Sequence, residues 1–97
     1  MQETIYISGK ITGLSLSDAY IRFLDAQIKY ESVGFKVVNP MRINHDHDLS
    51  WESYMREDLK AMLDCTHIFM LKNWHTSRGA NIEYNLAKEL GLVVVFE

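Results

Sequence analysis

His67-Ile68-Phe69-Met70-Leu71, a short polar segment, and then Ser77-Arg78-Gly79-Ala80-Asn81-Ile82-Glu83-Tyr84-Asn85-Leu86-Ala87-Lys88-Glu89-Leu90-Gly91 read as strand, loop and helix. The first run is β-branched and aromatic, with the length of a buried strand; the second has helical spacing and stops at a glycine. A strand that ends at a small loop and enters a helix is where α/β proteins hold ligands, because the first helical amides and the positive dipole end face the crevice. Glu83 falls in the first helical turn or just beyond. The dipole there would favour the ionised form, the state that a carboxylate nucleophile requires. Ile82, Leu86 and Leu90 are expected to form a core stripe, with Glu83, Ala87 and Leu90 on the adjoining face. Acidic residues also occur in first turns merely because they complement the dipole, which contributes about 0.3–1 kcal/mol.

The same alternation extends in both directions. Thr4-Ile5-Tyr6-Ile7-Ser8 is a first strand, ending in the turn Gly9-Lys10-Ile11-Thr12-Gly13. Ser15 or Ser17 caps a helix whose apolar positions are Tyr20, Phe23, Leu24 and Ile28, and Gly34 closes it. Phe35-Lys36-Val37-Val38 is a second strand, stopped by Asn39-Pro40. A polar loop of about ten residues, long for an ordinary connection, carries His45-Asp46-His47-Asp48. Ser50 caps a second helix with Trp51, Tyr54, Met55, Leu59, Met62 and Leu63 as its buried stripe. After Gly91, Leu92-Val93-Val94-Val95-Phe96 is a fourth strand of the kind buried on both faces. Four strands joined by three helices predict an α/β domain with helices on both faces of a four-stranded parallel sheet in the order 2-1-3-4.

Size and composition narrow the possibilities. At 97 residues and 47% hydrophobic the chain makes a single domain. Ten basic and 13 acidic side chains give −3, with no run of like charge, which argues against a nucleic-acid polymer or an anionic membrane as partner. No apolar run is long enough to cross a bilayer, and the N-terminus lacks the regions of a signal peptide, so the expected compartment is the cytoplasm. The lone cysteine, Cys65, has no internal disulfide partner and reads as a small core residue.

In such a sheet, ligands gather where strand order reverses, between the first and third strands. The loops meeting there are Ser8 to Gly13 and Asn73 to Gly79. The first is neither a Walker loop nor a dinucleotide GxGxxG, so its ligand role rests on position. Asp58, four residues after Tyr54 and four before Met62, lies at the edge of an apolar stripe. Low-dielectric surroundings and a second carboxylate would raise its pKa. Such a pair divides glycosyl chemistry between an ionised nucleophile and a protonated acid. The plainer reading of Asp58 is a salt bridge with Arg56, Lys60 or another basic residue. His45 to Asp48 offers metal-ligand types without a third motif at metal-site spacing, so neither a metal nor an organic cofactor is expected. Trp51 and Trp74 could stack on a base, though Trp51 reads equally as a core anchor.

Ile5-Tyr6-Ile7-Ser8-Gly9, Arg56-Glu57-Asp58-Leu59 and the Ser-x-Gly-x-x-x-Glu frame from Ser77 to Glu83 resemble the nucleoside 2-deoxyribosyltransferase superfamily. Asn39-Pro40, Ser50-Trp51-Glu52, Tyr54-Met55-Arg56, Asp64-Cys65, Trp74 and Gly79-Ala80 resemble a small, often phage- or prophage-borne branch of it. The resemblance implies a flavodoxin-like fold, a homodimer or larger homo-oligomer, and cleavage of an N-glycosidic bond in a small nucleoside or nucleotide. By position, Glu83 matches the family's nucleophile and Asp58 the aspartate that protonates the departing base or holds the sugar. Tyr6 matches the tyrosine that orients the nucleophile. Ser77 matches a serine that contacts a 5′-phosphate, and Ser8, Gly9 and Lys10 would line the same pocket with Trp74, Arg78 and Gly79.

Two departures shape the expectation. Family members of known activity continue past the fourth strand into a strand and helix that help complete a neighbour's site, whereas the sequence here ends at Glu97. The transferases proper also carry an acid shortly before the nucleophile, and Asn73-Trp74-His75-Thr76-Ser77-Arg78 has none. Nucleotide hydrolysis, with Arg78 or Lys10 holding a phosphate, is therefore expected over base exchange. The alternatives are a nucleotide-binding module of the same fold without turnover, or an accessory protein whose surface serves a partner.

Overall fold

The computed structural model describes residues 2–97. Four strands, β1 (Thr4–Ser8), β2 (Lys36–Val38), β3 (His67–Met70) and β4 (Val93–Phe96), alternate with α1 (Leu16–Ser32), α2 (Trp51–Leu63) and α3 (Arg78–Glu89). The sheet is wholly parallel, in the order β2-β1-β3-β4, as the strand–helix alternation predicts. Tyr6 pairs with Val38 on one side and Ile68 on the other, and Ser8 with Met70, so β1 and β3 end at the same level.

Strand alternation divides the core in two. Ile5, Ile7, Phe69 and Leu71 pack against Phe23, Ala26 and Tyr30 of α1. Tyr6, Ile68 and Met70 face Met62 of α2 and Ala80 and Ala87 of α3. Thus α1 covers one face and α2 with α3 the other. Cys65 is buried in the second cluster, as a small core residue.

The helical faces are rotated from the expected ones. In α1 the buried positions are Ala19, Phe23, Ala26 and Tyr30; Tyr20 and Ile28 are exposed and Leu24 is half-buried. In α3 they are Ala80, Glu83 and Ala87, while Ile82 and Leu90 are exposed. In both helices small residues let the backbone approach the sheet closely, and the bulkier side chains are displaced to the flanks. In α2, Met55, Asp58 and Met62 are buried and Leu63 is exposed, so Asp58 is inside the stripe. The last strand also departs from expectation: among the described residues β4 pairs with β3 alone, and Val93 and Phe96 are each 54% exposed. An edge strand can be as apolar as a central one without being covered on both faces. Among the described residues no helix is long and apolar enough to cross a membrane.

Candidate active site

The carboxyl ends of β1 and β3 are held together at the reversal of strand order. The Leu71 amide donates to the Ser8 carbonyl at 2.8 Å, and the Lys10 amide to Asn73 Oδ1 at 3.1 Å. Gly9 is required here by space, since a Cβ would lie 2.6 Å from Leu71 Cδ1 and 2.8 Å from its Cβ. After β3, Ser77 caps α3 by accepting from the Ala80 amide at 3.1 Å. The Asn81 side chain donates to the carbonyls of Trp74, His75 and Ser77 and ties the loop to the helix that follows.

A cavity of about 730 Å³ opens above this junction, large enough for a small-molecule ligand. The loop after β1, the segment Pro40 to His45, the first two turns of α2 and the start of α3 enclose it. Tyr6, Glu83 and Asp58 all line it. Glu83 is 5% exposed, and its two oxygens are separately engaged. Tyr6 Oη donates to Oε2 at 2.5 Å, and Ser8 Oγ to Oε1 at 2.7 Å. Both donors are on the face of β1 that looks toward α3, which strand alternation makes possible because Tyr6 and Ser8 are two residues apart.

Glu83 lies in the second turn of α3, past the reach of the dipole. Burial, not the helix end, controls its charge. Desolvation pushes its carboxyl up to about 7; the Tyr6 and Ser8 hydroxyls pull it down, and the charge of Asp58 pushes it further up. Asp58 behaves alike. Burial raises it to about 7, a charged His47 would lower it, and Glu57 raises it. Its Oδ1 is enclosed and has no hydrogen-bond partner among the described residues. The salt bridge that Asp58 was open to is not made by Lys60, which pairs with Glu57 at 3.2 Å; the nearest basic group is His45, with Nε2 3.6 Å from Oδ1. The Tyr6 phenol is raised well above its ordinary 10, mainly by burial, so it serves as a hydrogen donor throughout the physiological range.

Gly9, Ser77, Arg78 and Gly79 line the cavity as expected. Three other residues do not. Ser8 is fully buried beneath Glu83 and serves that carboxylate. Lys10 folds back along its own turn, with Cε 3.5 Å from where a Gly13 Cβ would lie. Trp74 stacks on His75 with centroids 4.3 Å apart and packs on Tyr84 at 4.7 Å and Phe96 at 6.0 Å, an aromatic cluster beside β4. Of the two tryptophans it is Trp51 that lines the cavity, with the Arg78 guanidinium 4.1 Å above its centroid. Gly79 permits this wall, because a Cβ there would come 2.9 Å from Met55 Sδ and 4.0 Å from Trp51 Cζ2. His45, Tyr54, Met55 and Met41 also line it. For Tyr54 and Trp51 the α2 periodicity was a usable signal; for His45 and Met41, only the folded loop brings them in.

A family model described as a domain of unknown function, DUF4406, matches residues 3–96. The chain belongs to that family. None of the curated proteins matches this DUF4406 chain. Among solved structures, the crystal structure of a conserved protein from Enterococcus faecalis V583 is similar, with a TM-score of 0.72 and 17% identity. The match covers 99% of this chain and 63% of that one, so the DUF4406 chain spans less than two thirds of its neighbour's length. The likeness supports the flavodoxin-like three-layer fold.

Proposed function

We propose that this DUF4406 chain hydrolyses the N-glycosidic bond of a small nucleoside or nucleotide, with Glu83 as nucleophile and Asp58 as general acid. The observation that carries the reading is the asymmetry between two buried carboxyls on one cavity. Burial raises both to about 7, so near neutrality the pair holds roughly one proton. Hydroxyl donors favour a carboxylate, and the hydroxyls of Tyr6 and Ser8 both donate to Glu83. Asp58 has none on Oδ1, so the shared proton favours Asp58. Environment thus divides a nucleophile from an acid, as glycosyl chemistry requires.

In the reaction, a Glu83 oxygen attacks C1′ as the C1′–N bond breaks, and the Asp58 proton passes to the leaving base. Water then attacks C1′ of the glycosyl ester, returning one proton to Asp58 and freeing Glu83. Tyr6 and Ser8 orient the nucleophile. Arg78 and the Ser77 hydroxyl, at the cavity wall and the start of α3, are the groups suited to a 5′-phosphate, and Trp51 to a base. The absence of an acid between Asn73 and Arg78 favours water over a second base as acceptor. The expected assembly is a homodimer or larger, supported by the exposed Leu16, Ile21 and Ile28 on α1; sedimentation showing only monomer at high concentration would count against it.

The test is incubation with a panel of deoxynucleosides and their 5′-monophosphates, with chromatographic detection of free base, beside Glu83→Ala. Release of one base that disappears in the variant supports the proposal. Binding of a nucleotide without release would favour a binding module.

A further inference from the structure

Two histidines between β2 and α2 take no part in the reaction as proposed, yet they lie against its acid. His45 Nε2 is 3.6 Å from Asp58 Oδ1, just beyond hydrogen-bonding range, and Oδ1 is otherwise unpartnered among the described residues. Behind this contact, His45 Nδ1 is hydrogen-bonded to His47 Nε2 at 2.7 Å, and His47 Nδ1 meets the carbonyl oxygen of Asp48. Tyr54 encloses the pair, its ring centroid 4.6 Å from that of His45 and 4.8 Å from that of His47.

The polarity of this chain follows from its outer end. A carbonyl oxygen only accepts, so His47 Nδ1 carries a hydrogen. In neutral His47, Nε2 is then an acceptor, which requires the hydrogen between the rings to belong to His45 Nδ1. Neutral His45 consequently turns a lone pair, not an N–H, toward Asp58 Oδ1. A lone pair disfavours a carboxylate at that position and suits a carboxylic acid. We infer that the Asp48 carbonyl, His47 and His45 form a tautomer lock that keeps Asp58 in its acid form while both rings are neutral.

His45 and His47 are thus positioning residues acting through Asp58, a role that no short motif announces. The consequence for turnover rests on the hydrolase reading; the tautomers and the protonation of Asp58 do not. The other ionisable groups coupled to Asp58 are Glu83 of α3, Tyr6 of β1 and Glu57 on its own helix. They lie outside the lock and are unaltered in the test.

Long-range 1H–15N correlation spectra of the unaltered protein, at a pH where both rings are neutral, report the tautomers directly. Nδ1–H on both His45 and His47 is expected, against the ordinary preference of imidazole for Nε2–H; Nε2–H on either ring overturns the inference, and this arm requires no variant. The second arm follows the Asp58 carboxyl by 13C NMR in the parent and in His47→Leu. Released from its lock, His45 takes Nε2–H and donates to Asp58, so the Asp58 midpoint falls, whereas loss of the His47 charge by itself would raise it. A midpoint unchanged or raised in a folded His47→Leu protein overturns the inference. If a base is released, the alkaline limb of the kcat/KM profile moves down with the midpoint. If no nucleoside is cleaved, the hydrolase reading fails, while the tautomers and the carboxyl titration still decide the lock.

Discussion

At Glu83 the environment differs from the one its helix position suggests. Its carboxylate lies at the cavity, but the force acting on it is desolvation at 5% exposure, opposed by two hydroxyls. Under the proposed reaction, Glu83→Gln keeps the size and shape but turns one accepting oxygen into a donating amide, and base release should fall at least about 1,000-fold with the fold intact by circular dichroism. Tyr6→Phe removes the donor to Oε2. The Glu83 midpoint should then rise, and the acid limb of the kcat/KM profile should move to higher pH by about half a unit to one unit. A profile unchanged in Tyr6→Phe would show that the phenol does not govern the ionisation of Glu83.

At the scale of elements, the loop that leads into α3 is held by side chains whose removal has a calculable cost. Ser77 is the N-cap, and Ser77→Ala should destabilise by about 1 kcal/mol. For a domain of this size that lowers Tm by about 4–8 °C, measurable by calorimetry. Gly9→Ala tests close approach instead. Its Cβ would meet the Cβ of Leu71 at 2.8 Å, an atom tied directly to the backbone, so overpacking should cost about 1–3 kcal/mol. Gly79→Ala meets only the flexible end of Met55 at 2.9 Å. It should leave Tm within a few degrees while pushing Met55 toward the cavity, so KM should respond more than stability. These elements were legible in the sequence as strand, turn and helix because period and capping are local properties. Which face of α1 or α3 is buried was not, because Ala19, Ala26, Ala80 and Ala87 gain their places by how closely the helices approach the sheet.

Across the whole molecule, two buried carboxyls make the pH dependence of stability run opposite to the common acid lability. In the folded chain Glu83 and Asp58 keep protons up to about pH 7, whereas in the unfolded chain they ionise near their ordinary values of 4.5 and 3.8. Between those limits the native state binds more protons than the unfolded state, so stability falls as pH rises and levels off above 7. The two coupled carboxyls share this loss of stability, which is on the order of a few kcal/mol across the range. Urea unfolding should therefore give a higher midpoint at pH 5 than at pH 8. Asp58→Asn should flatten the difference and raise Tm at pH 8 by several degrees, because a buried charge is no longer formed there.

The amino-acid sequence by itself determined the alternation of four strands and three helices, the parallel sheet in the order 2-1-3-4, and the pairing of Tyr6, Asp58 and Glu83 as residues of interest. The elements, Asp58 and Glu83 follow from hydrophobic period, turn chemistry or residue type, which act over a few neighbours; Tyr6 enters only through the family resemblance. Tertiary structure alone decided that Ser8 is buried under Glu83, that Trp51 rather than Trp74 faces the cavity, and that His45 reaches Asp58. Those relations depend on the distance between helix and sheet and on the path of an irregular loop, both set by packing between residues far apart in the chain. The charge state of Glu83 belongs with them. A helix position suggests a dipole, but only the depth of the surrounding protein determines how strongly water is excluded.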